Sequence, residues 1–128
     1  GDIEFDQKLK LKISAESSFL SGDDPTYISF LKIGGDGVIS VMSNAITKAC
    51  VEWTAPARQQ KVIEAEADFE KHKQLINLMY VEANPIPVKW MLYKMGIFTS
   101  PEMRLPLVEL DKKHHAAIEA EMKKLGML

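Results

Sequence analysis

The sequence predicts a parallel α/β unit followed by a run of helices, and three observations carry that reading. A short apolar strand, a helix, a glycine turn and a second strand follow one another within residues 18–42. The second strand lacks the polar alternation of a half-exposed sheet, as expected where both faces are covered. From Asn44 onward the chain reads as helices punctuated by proline and glycine. A strand–helix–strand order this compact implies parallel strands and a right-handed crossover.

The elements follow in order. Ile3, Phe5, Leu9 and Ile13 around Lys8, Lys10 and Lys12 predict a helix over roughly residues 3–12. Residues 18–21 form the first strand, closed by Gly22. Asp24 and Pro25 read as an N-cap followed by proline at the first helical position, where a missing N–H costs nothing. That helix carries Tyr27, Ile28, Phe30, Leu31 and Ile33, and Gly34 supplies its left-handed end. Residues 37–42 are the second strand. Two parallel strands leave both edges open and cannot stand alone, so the sheet is expected to be completed by something outside this sequence.

Asn44 is expected to cap a helix over residues 45–53. Pro56 then opens a long helix, about 57–80, with Val62, Phe69 and Ile76 at seven-residue spacing. The run Asn84-Pro85-Ile86-Pro87 forces an extended turn, since residues before proline avoid the α region. A helix over 88–95 ends at Gly96. After a loop from Pro101 to Pro106, a last helix is capped by Asp111 and ended by Gly126.

Composition bounds the function. At 128 residues the chain fits one domain, and 46% hydrophobic with 27% charged residues excludes wholesale disorder. Sixteen basic against eighteen acidic residues give a net charge of −2, so no nucleic-acid partner is indicated. Cys50 is the single cysteine, which excludes an internal disulfide and points to a cytosolic, cytoplasmic setting. No apolar run approaches a membrane span, so no membrane partner is expected. The start at Gly1-Asp2-Ile3-Glu4 has no signal pattern and no initiator Met, and reads as cut.

Each chemical candidate has a bland counterpart. Asp23 and Asp24 form an acidic pair after a strand, but Asp24 is already explained as a helix cap. His115 and Glu119 share a helix face at a spacing that suits zinc, with His114 and Glu121 beside them. The flanking Lys112, Lys113, Lys123 and Lys124 mark that face as solvated, so no metal is expected. Cys50, in an apolar helix with no histidine cue, reads as a structural thiol. Gly34-Gly35-Asp36-Gly37 lies after a helix and before a strand, the wrong side for a helix N-terminus to hold phosphate. It reads as a tight turn. The methionines near the C-terminus read as packing filler. In parallel β/α architectures chemistry gathers at the carboxyl ends of strands. Here those ends, residues 21–23 and 41–44, offer small side chains and backbone groups but no general base or nucleophile. The residues alone stop at the C-terminal part of a parallel α/β domain.

Four runs carry a resemblance. Ser21-Gly22-Asp23-Asp24, Gly34-Gly35-Asp36-Gly37-Val38-Ile39-Ser40-Val41, Asn84-Pro85-Ile86-Pro87-Val88-Lys89-Trp90 and Leu105-Pro106-Leu107 closely resemble the dihydrodipicolinate synthase family, in order and spacing, over nearly the whole chain. The resemblance implies the C-terminal part of a (β/α)8 TIM barrel. Residues 1–55 would be its last two β/α units and residues 56–128 its helical extension. It also implies a homotetramer in lysine and diaminopimelate biosynthesis, needing no cofactor. The reaction is a lyase-type condensation of pyruvate with aspartate semialdehyde through a lysine Schiff base, the lysine lying just upstream of Gly1. Gly22 would sit beside pyruvate, where a Cβ crowds the ligand, and the Ile39 backbone carbonyl would orient the lysine nitrogen. Asp23, Asp24 and Asn44 would support them. Met42-Ser43 and Ala83 depart from the usual Thr-Ala and Pro, Met42 adding bulk near the barrel mouth. Two alternatives remain open: another pyruvate-dependent aldolase, and a non-enzymatic helical interaction module.

Overall fold

The computed structural model describes residues 1–58 and 62–128. Helix α1 (Ile3–Lys10) is capped by Asp2, whose carboxylate accepts the Phe5 N–H at 3.0 Å. Strand β1 (Leu20–Ser21) leads to α2 (Tyr27–Lys32), and β2 (Gly37–Val38) pairs with β1 in parallel, Leu20 opposite Gly37 and Ser21 opposite Val38. The βαβ unit stands as expected, but its strands are shorter. Paired backbone continues only as far as the Ile39 N–H, which donates to the Ser21 carbonyl at 2.8 Å. Beyond it the chain coils into a 3₁₀ turn at Met42–Asn44 rather than extending to residue 42. The cause is local: Ser40 Oγ accepts the Ser43 N–H and the Asn44 amide donates to the Val41 carbonyl, both of which draw the backbone back on itself.

The glycine loop between α2 and β2 is a turn, as its position in the sequence implied. Gly34 has φ 86°, and a side chain at Gly35 would collide with the Phe30 ring. Asp36 then ties the strand starts together: its carboxylate accepts the Phe19 N–H at 2.7 Å and its own N–H donates to the Phe19 carbonyl at 2.8 Å.

Helix α3 (Thr47–Arg58) begins later than expected and runs through Pro56. Trp53 explains why the proline does not break it there. Its side chain is almost fully buried, and its indole N–H donates to the Asp68 carboxylate at 2.9 Å, so tertiary contacts override a local preference. The expected start of a long helix at residue 57 is therefore corrected. Helix α4 spans Val62–Leu78, and the part of that expectation at residues 59–61 lies outside the described residues. Helix α5 (Ile86–Lys94) starts at the proline turn, where the Asn84–Pro85 bond is cis, and Gly96 (φ 73°) ends it. Helix α6 (Lys112–Lys124) is capped by the Asp111 carboxylate, which accepts the Lys113 N–H at 2.9 Å, and is followed by Gly126 at φ 69°.

The chain forms two compact units, Gly1–Lys71 and His72–Leu128. The first has a core of Phe19, Tyr27, Phe30, Met42, Trp53 and Phe69, with Trp53 and Phe69 meeting edge to face at 5.1 Å between ring centres. The second is built on Leu75, Ile76, Met79, Met91, Ile118 and Met122, all almost fully buried. The methionines at 91 and 122 are thus core filler.

Candidate active-site strand ends

The carboxyl ends of β1 and β2 gather four of the five residues that the sequence singles out. Gly22 follows β1 and is exposed, and a Cβ built on it would meet nothing within 4 Å. Nothing within this chain therefore demands glycine there. Ile39 follows β2 with 75% of its surface exposed. Among the described residues no hydrogen bond ends on its carbonyl oxygen. An exposed strand end with an uncommitted acceptor is a place where backbone can serve a ligand or another side chain.

The two aspartates exchange the roles that the sequence assigned them. Asp23, not Asp24, serves the start of α2: its Oδ2 accepts the Thr26 N–H at 3.1 Å and the Thr26 hydroxyl at 2.6 Å. Asp24 is 1% exposed, and its Oδ2 accepts the N–H groups of Val41 at 3.0 Å and Met42 at 2.7 Å. It caps the 3₁₀ turn from the neighbouring strand's loop instead of its own helix. Nothing in the linear sequence signals a bond between residues 17 and 18 positions apart. Ser21 braces the same corner, its hydroxyl accepting the Asp23 N–H at 3.0 Å.

Asn44 does not cap α3. Its amide donates backwards to the Val41 carbonyl at 3.0 Å, and it closes the 3₁₀ turn instead. The hydroxyl of Thr47, the first residue of α3, donates to the Ser43 carbonyl at 2.6 Å. Met42 is fully buried, so its bulk enters the core rather than the surface at the strand ends.

Other candidates settle into structural roles. Burial, with the nearby charge of Asp24 second, pushes the Cys50 thiol up to about 12, far from a nucleophile's range. His115 stacks on Trp90 with ring centres 4.4 Å apart and shares a hydrogen bond with the Leu110 carbonyl. His114 faces Glu82 at 3.6 Å. Glu119 pairs with Lys94 at 2.8 Å, and that hydrogen bond holds its carboxyl below the usual range. Glu121 pairs with Lys124 at 2.7 Å. Among the described residues no group of three or more His, Cys, Asp or Glu is placed to hold a metal ion. A groove of about 630 Å³ lies along Leu20, Gly37 and Val38 beneath Cys50 and Val51 of α3. It follows the flank of the sheet and reaches Ser43, but neither Gly22 nor Ile39 lines it. No helix among the described residues is long and apolar enough to cross a membrane.

Residues 1–125 match the model of the Dihydrodipicolinate synthetase family. A 4-hydroxy-tetrahydrodipicolinate synthase of Bdellovibrio bacteriovorus is 48% identical over 128 residues, covering 100% of this chain and 44% of the relative. A dihydrodipicolinate synthase from Acinetobacter baumannii, solved in complex with pyruvate, superposes with a TM-score of 0.93 at 32% identity. The match covers 99% of this chain and 43% of that one. A dihydrodipicolinate synthase from Thermotoga maritima gives 0.92 at 34% identity, covering 99% and 44%. These structural neighbours are TIM barrels. The chain spans less than half the length of the curated relatives it matches. With order, spacing, strand pairing and backbone all in agreement, the chain belongs to the dihydrodipicolinate synthetase family.

Proposed function

We propose that this chain supplies the last two β/α units, residues 1–55, and the helical extension, residues 56–128, of a (β/α)8 barrel that condenses pyruvate with aspartate semialdehyde. The observation that carries the reading is the pair of exposed strand ends, Gly22 and Ile39, in a chain whose relatives carry that synthase's name. The reacting amine comes from a lysine outside residues 1–128, since no lysine stands at residues 20–24 or 37–44. The neutral amine adds to the C2 ketone of pyruvate. The resulting carbinolamine loses the former ketone oxygen as water and leaves a C=N bond. A desolvated barrel mouth favours the neutral amine by lowering its pKa. Gly22 keeps the face beside pyruvate clear of side-chain atoms, and the Ile39 carbonyl accepts a hydrogen bond from the lysine nitrogen. Asp23, Asp24 and Asn44 hold the loops that present these two groups.

The whole protein works in the cytoplasm as a homotetramer and needs no cofactor, since an iminium is itself the electron sink. Treating the protein of full family length with pyruvate and borohydride should reduce one imine to a stable adduct on a lysine outside residues 1–128. Residues 1–128 alone should give no stoichiometric adduct, because no lysine of this chain stands at a strand end beside Gly22 or Ile39. A single dominant adduct on any lysine of this chain would overturn the assignment.

A further inference from the structure

We propose that Asp24 is a positioning residue that aims the Ile39 carbonyl by fixing the backbone immediately after it. The proposal rests on the role of Ile39 given above. The Ile39–Ser40 peptide is held from both sides. On one side the Ile39 N–H donates to the Ser21 carbonyl at 2.8 Å, anchoring it to β1. On the other, the N–H groups of Val41 and Met42 both end on Asp24 Oδ2, at 3.0 and 2.7 Å. Ser40 is braced as well, its Oγ accepting the Ser43 N–H at 2.9 Å. The carbonyl between these anchors has little freedom to swing, and among the described residues no hydrogen bond ends on it.

A buried carboxylate is a costly way to satisfy two amides, and a neutral acceptor would serve for capping alone. What the charge adds is stiffness. Charge-assisted hydrogen bonds are shorter and roughly twice as strong as neutral ones. A group that orients a reacting amine must be held within about 0.5 Å of its working position. Asp24 reaches Val41 and Met42 from the loop after β1, so it also ties together the carboxyl ends of the two strands that carry Gly22 and Ile39.

The test uses the protein of full family length with Asp24→Asn and Asp24→Ala. Rapid quench with borohydride at saturating pyruvate measures the rate of imine formation, alongside the pyruvate KM and the Tm. Asp24→Asn should slow trapping about 3- to 10-fold and Asp24→Ala about 30-fold or more, the scale expected of a misplaced orienting group. The pyruvate KM should move less than about 2-fold, because Asp24 does not touch pyruvate. Variants that melt earlier but trap at the parent rate would show a cap and nothing more. If Asp24→Ala fails to fold, the isosteric Asn variant decides alone. Replacing the Ile39–Ser40 amide by an ester weakens that carbonyl as an acceptor and leaves Asp24 in place. A slow ester variant beside an unaffected Asp24→Asn overturns the Asp24 role only. An unaffected ester overturns the role of Ile39, and the proposal with it.

Discussion

Gly22 lies in front of open space, and that makes its substitution informative. Within this chain Gly22→Val collides with nothing, and the position carries no left-handed φ that a β-branched residue would strain. In the protein of full family length the variant should keep its Tm within a few degrees while the pyruvate KM rises steeply or activity is lost. Normal pyruvate affinity in a folded Gly22→Val protein would mean that the glycine does not face the ligand. The aspartates next to it show how far single residues could be read from sequence. The residue types at the strand ends were legible because small groups before a helix form a local pattern. Which aspartate served which backbone was not. Asp23 and Asp24 are chemically equivalent cap candidates, and only the fold brings Val41 and Met42 to one of them. Asn44 misled for the same reason, since its amide turned back towards residue 41 instead of forward to α3.

Elements were legible where their own side chains decide them. The parallel pairing of β1 and β2, the turn at Gly34, the Asp111 cap and the end at Gly126 all follow from local chemistry. Strand length and the path of α3 did not follow, because side-chain acceptors shorten β2 and the buried Trp53 carries α3 past Pro56. The seven-residue stripe on α4 is a sharper case. Val62, Phe69 and Ile76 are all buried, as their spacing requires. Phe69 is 3% exposed and lies against Trp53, so Phe69→Ala should cost roughly 3–5 kcal/mol in chemical denaturation, the usual range for emptying a buried aromatic site. A cost under about 1 kcal/mol would mean that the site collapses around the smaller side chain with little loss of contact.

At the scale of the whole chain, two compact units divide residues 1–128, and their single thiol belongs to the first, Gly1–Lys71. That placement gives Cys50 a use unrelated to catalysis, as a chemical clock for opening. In an unfolded chain with a thiol pKa of about 8.5, roughly a quarter of the sulfur is thiolate at pH 8 and reacts readily with a disulfide reagent. In the native chain the buried thiol, pushed up to about 12, is almost wholly protonated and shielded. Modification must then wait for the unit to open. The native labelling rate at pH 8 should lie about a thousandfold or more below that of the guanidinium-unfolded chain, and should climb with denaturant as openings become frequent. Near-equal rates would place the sulfur in solvent. Because His72–Leu128 contains no cysteine, every labelled molecule records an event in the half that carries Gly22, Asp24 and Ile39.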